Sequence, residues 1–256
     1  MVAIVNTNRA PLTTRMPQGV TNAAPWQTMG LSGVPDPTWS HLYRNDFDQY
    51  VAADWSLTGT GTPTAALSAG NGGIITLSTT TGASDSVVFQ KTPAAFAVVA
   101  NKQMFFKFAG TLSSVAGAFF CGIADIGEGA EGSTVDGILI NKAAGVGTLT
   151  LDIFVASAKT SFAFPATCTL AAATAFELGF AIDPIGNVLA FYNPTTGNNQ
   201  INASVAASSG QSRGAVAVAA APALPTTNMA PVCSYVNASA AAQTIKADYF
   251  VVSNER

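Results

Sequence analysis

The sequence predicts an all-β fold, a two-layer antiparallel sandwich of jelly-roll type with an extended N-terminal arm. Three observations lead there. Apolar side chains recur at every second position in run after run from Tyr43 onward, glycine, proline and asparagine close those runs, and convincing helix signals are few.

The runs can be followed in order. Trp55 and Leu57 lead into Gly59-Thr-Gly-Thr-Pro63, and Gly70-Asn-Gly-Gly73 precedes Ile74, Ile75 and Leu77. Gly82 then leads to Ser86-Val-Val-Phe-Gln90. Met104, Phe106 and Phe108 alternate with Phe105 and Lys107, the pattern of a strand partly covered on both faces. Leu149, Leu151, Ile153 and Val155 alternate with Thr150, Asp152 and Phe154, and Phe176, Leu178, Phe180 and Ile182 with Glu177, Gly179 and Ala181.

Asp183-Pro-Ile-Gly-Asn187 has the composition of a hairpin turn, since proline presets φ and Gly or Asn tolerates positive φ. Val188–Tyr192 is the return strand. The last strand, Thr244–Val252, places Tyr249 and Val251 on one face and Phe250 and Val252 on the other. The Ala-rich pieces Thr92–Asn101 and Leu170–Ala175 have room for a helical turn or two. The strand region is roughly 200 residues long, room for about 12 to 14 strands, and a sheet of that size must bury one face on a second sheet.

Residues 1–42 read as a separate extended arm, and 43–256 as the sandwich. The arm holds Pro11, Pro17, Pro25, Pro35 and Pro37, which fix φ and remove donors, yet Trp26, Leu31 and Trp39 are scattered through it. Aromatic residues on extended chain want a pocket. Trp26, Leu31, Trp39 and Arg15 are therefore the candidate anchors to a protein surface. Two readings stay open, an arm docked on a neighbouring subunit or one folded back over its own sandwich.

Composition narrows the function. The chain is 48% hydrophobic and only 10% charged, against roughly 25% charged in an average globular protein. A surface of Thr, Ser, Ala, Gly and Asn is poorly solvated by charge, which points to coverage by partners and a homo-oligomer. The net charge of −3 and the lack of any basic stretch argue against nucleic acid. No apolar run is long enough for a membrane helix, and no secretory leader is read at the N-terminus. Cys121, Cys168 and Cys233 lack metal or redox spacing, and buried reduced thiols are expected, consistent with assembly in a cytoplasm.

The single histidine, His41, falls at the junction of arm and sandwich, a poor scaffold for nucleophilic catalysis. Glycoside hydrolysis needs two facing carboxylates, and Glu177 stands alone in its strand. No catalytic residue and no cofactor is expected. Asp125, Glu128, Glu131 and Asp136 form the one oxygen-rich loop that could fold round Ca²⁺, although a solvated loop is the simpler expectation. For sugar, the candidates are Tyr192–Asn199 and Tyr235-Val-Asn237, whose composition is also that of ordinary turns.

Asn45-Asp-Phe-Asp-Gln-Tyr50 with Asp54-Trp55-Ser-Leu-Thr-Gly59, Gly72–Leu77, the Phe176–Tyr192 hairpin and the closing Lys246–Ser253 together resemble the concanavalin-A-like (lectin and laminin-G type) sandwich. They resemble especially the versions found in tailed-phage structural proteins. The resemblance covers Arg44 to Arg256 and implies a last strand that pairs back near the first. With the arm and the uncharged surface, it implies a virion protein that decorates the capsid and cements the major capsid protein from outside. The alternative it implies is a carbohydrate-binding tail fibre or adhesin module.

Overall fold

The computed structural model describes residues 40–69, 73–125, 134–194, 215–217 and 222–256. Among them are fifteen strands: β1 (Ser40–Asn45), β2 (Trp55–Thr58), β3 (Thr64–Ser68), β4 (Ile74–Ser78), β5 (Ser86–Lys91), β6 (Met104–Leu112), β7 (Ala118–Ala124), β8 (Gly137–Lys142), β9 (Leu149–Val155), β10 (Ala158–Ala163), β11 (Ala175–Ile182), β12 (Val188–Pro194), β13 (Ala215–Ala217), β14 (Ala230–Val236) and β15 (Thr244–Glu255). They form two antiparallel sheets. The first runs β13-β12-β11-β6-β15-β4-β3 with β1 also paired to β15, and the second runs β10-β9-β8-β7-β14-β5-β2.

The period-2 pattern explains why the sheets face each other. Phe106, Phe108, Phe176, Phe180, Phe250 and Val252 of the first sheet point inward. They meet Phe89, Phe119, Ile123, Ile138, Ile140, Leu151 and Ile153 of the second, and all are buried. The rings touch in tilted and edge-on arrangements, for example Phe108 with Phe250 at 5.0 Å and Phe119 with Phe176 at 5.7 Å between centroids. Burying this much aromatic and aliphatic area is the main stabilising term of the fold.

The Asp183–Asn187 turn forms as its composition predicts. Asp183 Oδ1 accepts from the backbone N–H of Ile185 and of Asn187, its other oxygen accepts from the Asn187 amide, and Gly186 takes φ +86°. Gly179 has a packing reason instead, because a Cβ there would sit 2.3 Å from the Phe191 ring and 2.4 Å from the Phe106 carbonyl oxygen.

Four expectations change. Asn45–Tyr50, which the resemblance implies is the first strand, holds only the last residue of β1: past it the chain bends, Asn45 Oδ1 accepting from Phe47 N–H while Phe47, at φ +53°, drops its ring into the core. The arm boundary after residue 42 therefore falls inside β1, whose Ser40, His41 and Leu42 pair with Glu255, Asn254 and Ser253. His41 is thus on a strand rather than at a loose junction, its ring stacked on Phe96 at 4.6 Å. The Ala-rich pieces hold no helix. The one helical turn among the described residues is the 3-10 turn Ala52–Asp54, and Phe96 makes an isolated bridge to Met229.

Candidate functional site

A grouping of ionisable side chains lies on the outward face of the first sheet. Alternation puts Lys107 of β6, Glu177 of β11 and Tyr249 of β15 on the face opposite the core. Glu177 Oε1 accepts from Lys107 Nζ at 2.8 Å and from the Tyr249 hydroxyl. The Lys107 ammonium also lies 5.2 Å from the centre of the Tyr249 ring. A β-bulge between Ala247 and Tyr249 inserts Asp248 into the same neighbourhood. Burial, followed by the charges of Glu177 and Asp46, pushes the Asp248 carboxyl up. Burial first, then the bond to Glu177, pushes the Tyr249 phenol up, with Arg44 opposing. Beside them Phe105 and Phe191 stack at 5.9 Å and are buried.

Reasoning strand by strand leaves Glu177 alone. Its partners come from β6 and β15, which only sheet order brings together. Chemically the arrangement holds an anion against a cation and a neutral phenol. That suits polar recognition and local rigidity.

The second sheet has an outward cluster of its own. Val88, Phe120, Leu139, Phe154 and Val232 are buried there around Asp152, whose side chain is 1% exposed. Asp152 Oδ2 accepts from Asn141 Nδ2 at 3.0 Å and pairs with Lys159 Nζ at 2.8 Å. The sequence offers no signal for this trio beyond a polar residue at an outward position of β9.

The residues singled out from the sequence fare as follows. Arg15, Trp26, Leu31, Trp39, Glu128 and Glu131 lie outside the described residues. Asp125 and Asp136 are joined through backbone, Asp125 N–H donating to the Asp136 carbonyl at 3.1 Å. The Asp136 carboxylate accepts from Ala156 N–H and from the Thr227 hydroxyl, so it ties two loops together. Among the described residues no group of three or more His, Cys, Asp or Glu side chains is placed to hold a metal ion.

The described sugar candidates are occupied internally. Tyr192 and Tyr235 are buried and donate to the carbonyls of Thr169 and Ser114. Asn237 Oδ1 accepts from Thr79 Oγ1, while its Nδ2 donates to the carbonyls of Thr80, Gly82 and Ala241. The three cysteines are buried and form no disulfide, with Cys121 and Cys233 opposite each other on β7 and β14. Among the described residues no helix is long and apolar enough to cross a membrane.

No protein-family model matches the chain, and no curated protein resembles it in sequence. Solved structures do resemble it in fold. A protein of unknown function from Shewanella oneidensis MR-1 aligns with a TM-score of 0.55 at 16% identity, over 91% of this chain and 94% of that one. An endo-1,3-beta-glucanase from Streptomyces sioyaensis aligns at 0.53 and 12%, over 87% and 99%. Peanut lectin with a 9mer peptide aligns at 0.51 and 9%, over 84% and 97%. The described sandwich thus has the concanavalin-A-like fold of lectins and glucanases, and at these identities the likeness concerns the fold alone.

Proposed function

We propose that this chain is a non-catalytic recognition module of a virion, decorating the outer surface of the major capsid protein shell and stabilising it. The observation that carries this reading is where the polar side chains go. Tyr192, Tyr235, Asn237, Asp136 and Asp183 end on groups of neighbouring turns and loops. Among the described residues what faces outward is then mostly Thr, Ser, Ala and Gly, in a chain with 10% charged residues. Such a surface loses little solvation free energy on docking to protein, and many weak contacts repeated over a shell add up through avidity.

The test is cosedimentation with shells assembled from a major capsid protein encoded beside this chain. Saturable binding in many copies per shell is the expected result. Absence of binding, or absence of any such neighbouring gene, would overturn the reading.

A second reading, a carbohydrate-binding tail fibre or adhesin module, is favoured by one specific observation. Peanut lectin and the glucanase share the fold, and that likeness supports glycan recognition more directly than it supports a capsid role. A glycan array probed with the full chain separates the two, since the decoration reading expects no saturable glycan signal.

A further inference from the structure

We infer that the flank of the sandwich formed by β2 and β3 is a self-association edge, at which β3 pairs antiparallel with β3 of a second copy of this chain. Among the described strands β3 is the last of the first sheet and β2 the last of the second, so each has a strand neighbour on one side only. Gly59–Pro63 joins them directly, which puts both edges on one flank.

An open edge presents unpaired backbone N–H and C=O groups, and monomeric proteins guard such edges with charge, proline inside the strand, or bulges. Here the guards are missing. No Asp, Glu, Lys, Arg or His occurs between Asp54 and Asp85, an interval containing β2, β3 and β4. The β3 ladder runs without a bulge from Thr64 opposite Ser78 to Ser68 opposite Ile74. By contrast β10, the opposite edge of the second sheet, carries Lys159 inside the strand.

Thr58 to Thr62, Thr64, Ala66 and Leu67 are exposed, and Leu67 keeps 48% of its surface in water. Leu67 shares its face of the strand with Ala65, which packs on the core.

The sequence of β3, Thr-Ala-Ala-Leu-Ser, complements itself about Ala66. A twofold axis there sets Ala66 against Ala66 of the second copy. Thr64 meets Ser68, whose hydroxyl already bonds Thr76 of its own sheet and can take a second hydroxyl, and Leu67 meets Ala65, large against small. Hydroxyl pairs and apolar pairs directly across an antiparallel ladder both stabilise it, whereas like charges there destabilise it. With a net charge of −3 per chain, a contact through β3, which carries no charge and leaves the Asp85 carboxylate beside Gly61 at the end of the flank, also brings the two copies together with little charge repulsion along the ladder. Five residue pairs make a small contact, so the dimer forms in a concentration-dependent equilibrium rather than as an obligate unit.

Self-association at this edge does not depend on what the module recognises. Sedimentation velocity on the full chain over a wide concentration range is the first measurement, with a reversible monomer–dimer equilibrium expected. Ala66→Lys and Ala66→Glu each place like charges opposite across the axis and should weaken the dimer at least about fivefold. Both substitutions fall on an exposed position, and unchanged melting temperatures would show that the monomer still folds. An equimolar mixture of the two variants should regain dimer as a heterodimer. A wild-type chain that stays monomeric at all concentrations, or a dimer indifferent to both variants, would overturn the proposal.

Discussion

The Trp55 indole lies flat on the Phe89 ring, with centroids 4.1 Å apart and planes 7° from parallel. Trp55 opens edge strand β2 and Phe89 sits in β5 beside it, so this stack fastens the edge of the second sheet to the core. Phe47 and Phe250 close round the same indole at 5.7 Å each. Trp55→Ala should therefore cost about 3–5 kcal/mol in a urea titration, the range for deleting a buried aromatic ring. Trp55→Phe should recover much of that. A loss below ~1 kcal/mol for the alanine variant would show that the indole contributes little to the core.

Asn237 joins three segments through one amide. Its four hydrogen bonds reach Thr79, Thr80, Gly82 and Ala241, and the residue is only 4% exposed. Replacing it with alanine takes the acceptor from the buried Thr79 hydroxyl and the donor from the half-buried carbonyls of Thr80 and Gly82. Leaving such groups unpaired costs ~1–3 kcal/mol each where water cannot reach them. Asn237→Ala should lose about 2–4 kcal/mol in thermal or urea unfolding. Asn237→Asp should be no better, since a carboxylate would face those same carbonyl oxygens. An Asp variant as stable as the native chain would refute this account of the clamp.

These two features differ in how far the sequence announced them. Trp55 stands in an alternating run, so its inward position was legible, as were the face assignments of Tyr249 and Phe250 and the Asp183 turn. Local chemistry decides all of these. Asn237 looked like a loop residue available to a ligand because three of its four partners, Thr79, Thr80 and Gly82, lie more than 150 positions earlier in the chain, just past the end of β4. The Glu177 grouping was hidden for the same reason, its partners being contributed by other strands through sheet order. β3 escaped notice because Thr-Ala-Ala-Leu-Ser has too little hydrophobic contrast to register as a strand, and its neighbour β4 supplies the ladder.

Alkaline pH should destabilise the fold. Burial pushes the Tyr43 phenol up to about 12 from its ordinary 10.0, with the Asn45 hydrogen bond working against it and the Asp54 charge adding to it. Burial likewise raises Tyr249, and it raises the Cys121 and Cys233 thiols. Each of these groups has a folded value above its unfolded one. Its contribution is complete below the unfolded value and is lost as pH climbs towards the folded value. Lys142 works the other way: burial lowers it, so its cost is relieved as pH rises. The raised groups outnumber it. The melting temperature should fall as pH rises above about 9, the ordinary thiol value, and fall further through the tyrosine range above 10. Tyr43→Phe should flatten the upper part of that fall. A melting temperature that holds steady or rises over the interval would contradict the argument.

The pairing of Lys107 with Glu177 offers a sharper test of the outward polar grouping. Their side chains are 19% and 13% exposed, so water screens the pair only in part. A fully exposed pair is worth little, and its value disappears in salt. This one also holds the Tyr249 hydroxyl on the same carboxylate oxygen, so losing the carboxylate affects two donors at once. Lys107→Met, Glu177→Gln and the double variant, compared by urea unfolding, should give a coupling of about 1 kcal/mol. Because Lys107 and Glu177 are mostly withdrawn from solvent, that coupling should persist in high salt. A coupling near zero, or one abolished by salt, would mean that the ion pair behaves as a solvated surface contact and that β6 and β11 are held together by their ladder alone.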